Sequence, residues 1–467
     1  MDALSRRELI GAAAVAASGW VLAGEAGAKA SPSLRQLARS VRGPVLTPRD
    51  SSALVFDARY AGIRPLAVVQ PVSAADVQAC VRWAARRGVK IAARSGGHSY
   101  GGYSTARDGL VVDLRRLDGV SLSGRTVTAG PGTNLIRLYA ALARRGATVP
   151  GGSCPTVGLG GLALGGGMGL ASRRFGLTCD NVTALQVVTA DGRVRRCDAD
   201  TNADLFWACR GGGGGNFGIV TGLQLRAHRV SSAAWFFVSW PWSQAGEALA
   251  AWQELAPGAP SALTSIFTLA SNRRVSASGQ WFGSEAALRR LLRPLTRVAG
   301  ASLSVGTAPY LALMQRWAGC AGESVDRCDA WAPMRFDAGS DYVARPLPAA
   351  GRRAAIAQAA TGGGTLLLDS YGGAINRVRP DATAFVHRDQ LFSIQYFSAS
   401  ADGGWVQDAR RAMRRFVSGQ AYQNYIDPQL RNWEHAYYGE NLARLREVKA
   451  AVDPDRLFRF RQGIAPA

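Results

Sequence analysis

The stretch Pro150-Gly151-Gly152-Ser153-Cys154-Pro155-Thr156-Val157-Gly158-Leu159-Gly160-Gly161 decides the fold. Inside it, Gly158-x-Gly160-x-x-Ala163 matches a dinucleotide fingerprint, and Asp180 lies about twenty residues on. That fingerprint needs a central strand directly before it, and the glycines and prolines from Pro150 to Pro155 exclude one. The glycines therefore serve a different geometry. Three further clusters flank this one: Arg94-Ser95-Gly96-Gly97-His98-Ser99-Tyr100-Gly101-Gly102, Gly165-Gly166-Gly167-Met168-Gly169, and Gly211 to Gly215 followed by Asn216-Phe217-Gly218. They are not linkers, because apolar runs bound them: Leu205-Phe206-Trp207 precedes the last cluster and Ile219-Val220 follows it. Glycine lets backbone approach a ligand closely and turn its N–H groups toward an anion such as a pyrophosphate.

Around these clusters the composition is ordinary. Of 467 residues 47% are hydrophobic and 19% charged, which fits neither a disordered nor a membrane-spanning chain. At roughly 100 to 200 residues per domain, the length calls for several cores. The charge is unusual: 55 basic against 33 acidic residues give +22. Nearly all of it is arginine, since Lys29, Lys90 and Lys449 are the lysines. Nucleic-acid binders cluster such residues on one face among aromatics. Here they are scattered as singles and pairs, which reads as a solubilising bias and not as a nucleic-acid site.

Residues 1–30 carry the basic pair Arg6-Arg7, a short apolar stretch and small residues in Ala-x-Ala spacing, which is the pattern of an export signal. Ser5-Arg6-Arg7 before Leu9-Ile10 further resembles a twin-arginine signal, the route for folded proteins. A secreted or periplasmic location follows, with no membrane association beyond export. The seven cysteines include no Cys-x-x-Cys pair, and the four histidines stand apart from them, so no metal site is expected. Cys320 and Cys328 could bond in an oxidising compartment or remain buried thiols.

From Pro48 to Leu225 short strand-like runs alternate with helical patterns. Ala74 to Arg87 is a helix with Val77, Val81 and Ala84 on one face, and Asp191-Gly192 turns a hairpin. Beyond His228 longer strands are expected at 235–240, 261–269, 275–281, 365–371 and 390–396, with helices at 285–298, 310–317 and 406–416. This is an antiparallel sheet backed by helices. The reading divides the chain into an export signal (1–30), a ligand-binding domain (48–225), a substrate domain (226–417) and a C-terminal segment (418–467) that packs back to bury Trp433, Tyr437, Tyr438, Phe458 and Phe460.

His98 and Cys154, set inside the glycine loops, can each form a covalent bond to an electrophilic cofactor. Taken alone, they read more readily as a core histidine and a buried thiol. Five runs decide between these: Arg94 to Ser99, Gly152 to Gly158, Arg174-Phe175-Gly176-Leu177-Thr178-Cys179-Asp180-Asn181, Asp204-Leu205-Phe206-Trp207-Ala208, and Gly214 to Thr221. Together with Asn424-Tyr425-Ile426-Asp427, Tyr437 to Asn441 and Val448-Lys449 to Asp453-Pro454, they resemble the FAD-linked oxidases of the berberine bridge enzyme type, in order along the chain. Val386-His387-Arg388 and Gln462-Gly463-Ile464 depart slightly from that pattern.

The resemblance implies an α+β fold of the vanillyl-alcohol-oxidase kind: a PCMH-type FAD-binding domain plus a substrate domain with an antiparallel sheet. It implies FAD held twice, His98 on the 8α-methyl carbon and Cys154 on C6. The cofactor-binding residues it carries over are Arg94, Ser95, Gly96, Gly97, Ser99, Gly152, Val157, Gly158, Gly161, Gly215, Asn216, Gly218, Ile219, Val220 and Asn441. It implies oxidation of an alcohol or hemiacetal carbon of a sugar, oligosaccharide or glycosylated or polycyclic natural product. Molecular oxygen is the expected acceptor, because Val157 stands where family oxidases carry a small aliphatic residue. Tyr425 matches the family's catalytic tyrosine, with Tyr422 or a packing role as alternatives. Asp369 or Tyr371 would assist the base or orient the substrate, and Tyr371 also fits an ordinary sheet aromatic. A flavin-carrying binding protein without turnover and a dehydrogenase using another acceptor remain the competing readings.

Overall fold

The computed structural model describes residues 32–47, 55–400 and 404–467. The expected export signal lies outside these residues. Four short strands open the fold: β1 (Val45–Leu46), β2 (Ala67–Val69), β3 (Ile91–Arg94) and β4 (Leu110–Asp113), in spatial order β1-β2-β4-β3. β4 runs parallel to both neighbours. Parallel strands need a crossover, and the helix Ala74–Arg87 supplies it between β2 and β3. Its limits follow from the sequence: the Ser73 side chain caps it by accepting from the Asp76 N–H, and Gly88 ends it at φ 62°.

The second sheet comprises β5 (Val120–Ser123), β6 (Thr126–Ala129), β8 (Val182–Val188), β9 (Val194–Cys197) and β10 (Ile219–Arg226), all antiparallel, in order β5-β6-β10-β8-β9. The hairpin at Asp191-Gly192 joins β8 to β9 as expected. Two-residue strands β7 (Ala147–Thr148) and β11 (His228–Arg229) pair separately.

The third sheet has seven strands: β12 (Ser232–Trp240), β13 (Leu263–Leu269), β14 (Val275–Trp281), β15 (Ser302–Pro309), β16 (Asp337–Val343), β17 (Thr365–Ser370) and β18 (Phe392–Ser398). Their order is β15-β12-β14-β13-β17-β18-β16, so β17 lies well inside the sheet. Alternate residues, such as Leu366, Leu368, Phe392 and Ile394, point into a core shared with helices Ala245–Gly258, Ala349–Ala360 and Gly404–Met413. β15 and β16 are additions to the expected strands, and the helix expected at 285–298 is two pieces, Glu285–Leu291 and Arg293–Thr296.

The C-terminal segment forms helices Trp433–Tyr438 and Leu442–Val452. Tyr437, Tyr438 and Phe458 are fully buried, as their cost of exposure requires. Lys449 and Asp453 form an ion pair with neither side chain exposed. The Lys449 Nζ also donates to the carbonyls of Asn216 (2.6 Å) and Phe458 (2.8 Å), tying the segment to the last glycine cluster. Cys320 and Cys328 are disulfide-bonded. Among the described residues no helix is long and apolar enough to cross a membrane.

Candidate active site

The free face of the seven-stranded sheet lies opposite the glycine clusters, and a cavity of about 300 Å³ separates them. On the sheet side Thr365, Leu367 and Asp369 of β17 face it, with Gln395 and Phe397 of β18 beside them. The two-residue period that sends Leu366 and Leu368 into the helical core sends these residues the other way.

On the opposite wall two loops meet backbone to backbone. A Cβ on Gly96 would lie 2.3 Å from the Gly158 nitrogen, and one on Gly158 would lie 2.3 Å from the Gly96 nitrogen. The loop after β7 is pinned underneath: Leu135 N–H donates to Val157 O (3.0 Å), Leu159 N–H to Thr133 O (2.8 Å), and the Tyr139 hydroxyl to Gly152 O (2.7 Å). This packing brings His98 and Cys154 to the same cavity. His98 stacks on Phe56 at 4.0 Å, and its Nε2 bonds Thr156 Oγ1 at 2.9 Å. Burial pushes the imidazole pKa down to about 3, so the ring is neutral and its free nitrogen nucleophilic.

The glycines of 161–215 make a cradle. A Cβ on Gly161 would meet nothing within 4 Å, one on Gly214 only the Gly161 Cα at 3.8 Å, and one on Gly215 only a Phe460 ring carbon at 3.7 Å. Side chains at these positions would enter the cavity without striking protein. Gly213 (φ 86°) and Gly215 (φ 81°) hold a left-handed backbone that other residues rarely adopt. This open backbone is what a dinucleotide's phosphates need. The residues present fit FAD.

Tyr425 stands in a 3-10 turn, Gln423–Tyr425, at the cavity's third side. Its ring stacks on Tyr100 (5.4 Å, 3° between planes), and Gln395 Nε2 on the sheet donates to the Tyr100 hydroxyl at 3.0 Å. Asp369 is the one carboxylate among the lining residues and is 4% exposed.

Most of the expected site residues therefore converge. Ser95, Gly96, Gly97, His98, Ser99, Gly152, Cys154, Val157, Gly158, Gly161, Gly215, Asn216, Gly218, Val220, Asp369 and Tyr425 all line the cavity. Four do not. Tyr371 is turned away from it: β17 ends at Ser370, and Gly372 (φ 90°) and Gly373 (φ 58°) redirect the chain, so the Tyr371 hydroxyl meets that of Tyr342 at 2.9 Å in an aromatic cluster behind the wall. Arg94 spends its guanidinium on Asp113 (3.1 Å), across the β3–β4 ladder. Ile219 is core. Asn441 donates to the carbonyls of Pro380 (2.8 Å) and Thr383 (3.2 Å), which fixes a loop and not a ligand. Tyr422, the alternative to Tyr425, lines it too, and the lining also holds residues that sequence reasoning missed: Phe56, Tyr100, Trp331, Phe336 and Phe397. Tyr100 could have been found from its place two residues after His98. The others come from distant segments with no local signal.

A glycine cradle for a flavin dinucleotide facing an antiparallel sheet across one cavity defines an FAD-linked oxidoreductase. Residues 65–198 match the family model described as an FAD binding domain, and residues 421–465 the one described as berberine and berberine like. The chain is 33% identical over 414 residues to an FAD-linked oxidoreductase, YgaK, of Bacillus subtilis, covering 84% of this chain and 89% of that one. It is 33% identical over 437 residues to a chitooligosaccharide oxidase of Gibberella zeae, covering 86% and 87%. The solved structure of Physcomitrella patens BBE-like 1 superposes with a TM-score of 0.88 at 32% identity, over 94% of this chain and 100% of that one. The chain belongs to the berberine bridge enzyme-like FAD-linked oxidoreductases.

Proposed function

We propose that the protein is a secreted carbohydrate oxidase that holds FAD through both His98 and Cys154, and that Tyr425 is its catalytic base. The observation that carries this is the convergence of His98, Cys154, Tyr425 and Asp369 on one cavity. FAD, when bound, supplies the two-electron acceptor. The remaining work falls to the protein. His98 and Cys154 hold the ring at two points, so the walls need not enclose it and the cavity can stay open to a bulky substrate. Phe56, Tyr100, Trp331, Phe336 and Phe397 offer flat apolar faces that suit the C–H faces of a sugar ring. Asp369, the single lining carboxylate, disfavours anionic sugars and so points to neutral ones.

Tyr425 takes the hydroxyl proton of the reacting carbon. A free phenol has a pKa of about 10, so it needs help to act near neutrality. Asp369, across the cavity, accepts a hydrogen bond from Tyr425 or from the substrate and draws the proton away from the reacting carbon. Val157, small and at the cavity wall, leaves room for oxygen as the final acceptor. The chitooligosaccharide oxidase among the relatives supports an oligosaccharide as substrate. The twin-arginine-like signal at Ser5-Arg6-Arg7 supports export after the cofactor is loaded.

The test is a peroxide assay of the purified protein over neutral mono- and oligosaccharides, run beside acid precipitation. Peroxide with a neutral sugar and yellow colour in the pellet support the reading. Colour released to the supernatant would overturn covalent attachment, and turnover with dyes but not oxygen would make the protein a dehydrogenase.

A further inference from the structure

Tyr422 lies in the cavity wall and is 3% exposed. Its hydroxyl oxygen accepts the Gly167 N–H at 2.8 Å and an Asn424 Nδ2–H at 2.9 Å. Both donors are unambiguous. Gly167 offers a backbone amide, and Asn424 Nδ2 is fixed as nitrogen because it also donates to the Leu162 carbonyl at 3.0 Å. A phenol oxygen has two lone pairs and one proton. With both lone pairs taken, it can only donate further, and among the described residues no acceptor receives that proton. Tyr371, in the same buried cluster, pairs its hydroxyl with Tyr342 instead. The Tyr422 proton is therefore directed at whatever fills the cavity.

The two phenols of this turn are differently placed. Tyr425 stacks on Tyr100, which reaches the sheet through Gln395, so it stands on the side where Asp369 projects. Tyr422, edge-on to Tyr425 at 5.0 Å, is held by Gly167 of the glycine segment opposite. The geometry points to Tyr422 as a fixed hydrogen-bond donor to an acceptor atom of the bound flavin ring, acting on the cofactor's electron affinity and not as a base. This rests on the cavity being the FAD site. A donor already accepting two hydrogen bonds is strengthened by them, and it favours the more electron-rich, reduced ring.

The experiment is Tyr422→Phe in the full-length holoprotein, followed by the flavin midpoint potential and its affinity for sulfite, a probe of electron-poor flavin. The variant should keep its flavin, show a lower potential, and bind sulfite roughly tenfold more weakly, since a hydrogen bond to a charged group is worth about that factor or more. Loss of the hydroxyl also leaves the Gly167 and Asn424 donors unpaired, so thermal stability falls under either a structural or an electronic role. The potential moves only under the second. An unchanged potential and sulfite affinity in a flavin-loaded variant overturn the inference and leave the FAD site standing, whereas a parent protein that carries no flavin overturns both. If the Phe variant does not fold, 3-fluorotyrosine in place of Tyr422 serves: it keeps the hydroxyl and both accepted hydrogen bonds but is the stronger donor, so the potential must rise, and an unchanged potential overturns the inference.

Discussion

Gly96 and Gly158 touch through their backbones, so closely that a methyl group on either would lie 2.3 Å from the other's nitrogen. This contact holds the His98 loop against the Cys154 loop. An added Cβ must push the loops apart, because both obstacles are backbone and cannot rotate away. Gly158→Ala is harsher still, since its Cβ would also lie 2.0 Å from Ser95 Oγ. Overpacking of this kind costs about 1–3 kcal/mol. Gly158→Ala should lower stability and leave the flavin held at one point only, read as an altered absorption spectrum and a larger acid-released fraction. A fully retained, spectrally normal flavin would show that the contact does not set the attachment.

Removing the Tyr425 hydroxyl separates catalysis from cofactor binding. General-base catalysis contributes typically about 10² to 10⁴ in rate, so Tyr425→Phe should lose turnover by that order while its visible spectrum stays normal. Asp369→Asn should lower kcat and shift its pH dependence, without altering flavin content. If Tyr425→Phe retains full peroxide production, Tyr425 is not the base.

Much of this was legible in the sequence, and the failures have physical causes. The helix Ala74–Arg87 carries its own start and stop in Ser73 and Gly88, and its limits match the expected ones. His98 and Cys154 were singled out by the family resemblance, since taken alone they read as a core histidine and a buried thiol; the structure brings both to one cavity. β16, Asp-Ala-Gly-Ser-Asp-Tyr-Val, was missed because its carboxylates argue against a buried strand; their partners, Arg59 on Asp337 at 2.8 Å and Arg410 on Asp341 at 3.5 Å, come from distant segments. Tyr371 reads either as an assistant to the base, because alternation puts it beside Asp369, or as a sheet aromatic; the Gly372-Gly373 pair directly after it is the local sign that the chain turns there. The task of Tyr422 depends on which atoms reach its oxygen, and sequence does not carry that.

Lys449 is expected to be the most sensitive charge outside the cavity. It is fully buried against Asp453 and donates to Asn216 in the glycine loop. Breaking one partner of such a pair costs about 3–5 kcal/mol because the other charge is left uncompensated. Lys449→Met should therefore show that loss in denaturant unfolding, and Lys449→Met with Asp453→Leu should recover part of it. Equal losses in the two variants would mean that packing, and not charge, governs the site.

The disulfide between Cys320 and Cys328 steadies the segment that carries Trp331, Met334 and Phe336 to the cavity. Asp329, next to it, accepts from Asn134 Nδ2 at 2.8 Å and from Arg137, and Met334 N–H donates to Phe56 O at 3.0 Å. Replacing both cysteines with serine should raise KM several-fold with little change in kcat or flavin content, because the aromatic rim loosens while the attachment points stay. A fall in kcat at constant KM would contradict this.

His387 should make the protein acid-sensitive in a narrow range. It is fully buried, with Nδ1 bonded to Gln420 Oε1 at 2.7 Å and its ring stacked on Tyr342 at 4.4 Å. Burial pushes its pKa down to about 4, Gln420 and Gln423 pulling back, Arg388 lowering it further and Asp389 opposing. The unfolded chain, near 6.5, takes up a proton that the folded one refuses, so the contribution is full above pH 6.5 and is lost as pH falls toward 4. At pH 5 the loss is about 2 kcal/mol. Asp341, raised to about 6 by burial, works in the opposite direction over nearly the same range. A comparison of parent protein with His387→Gln cancels that term: the parent should lose about 2 kcal/mol more than the variant between pH 7.5 and 5 in urea unfolding. Equal losses would mean that His387 takes up a proton as readily in the folded state as in the unfolded one.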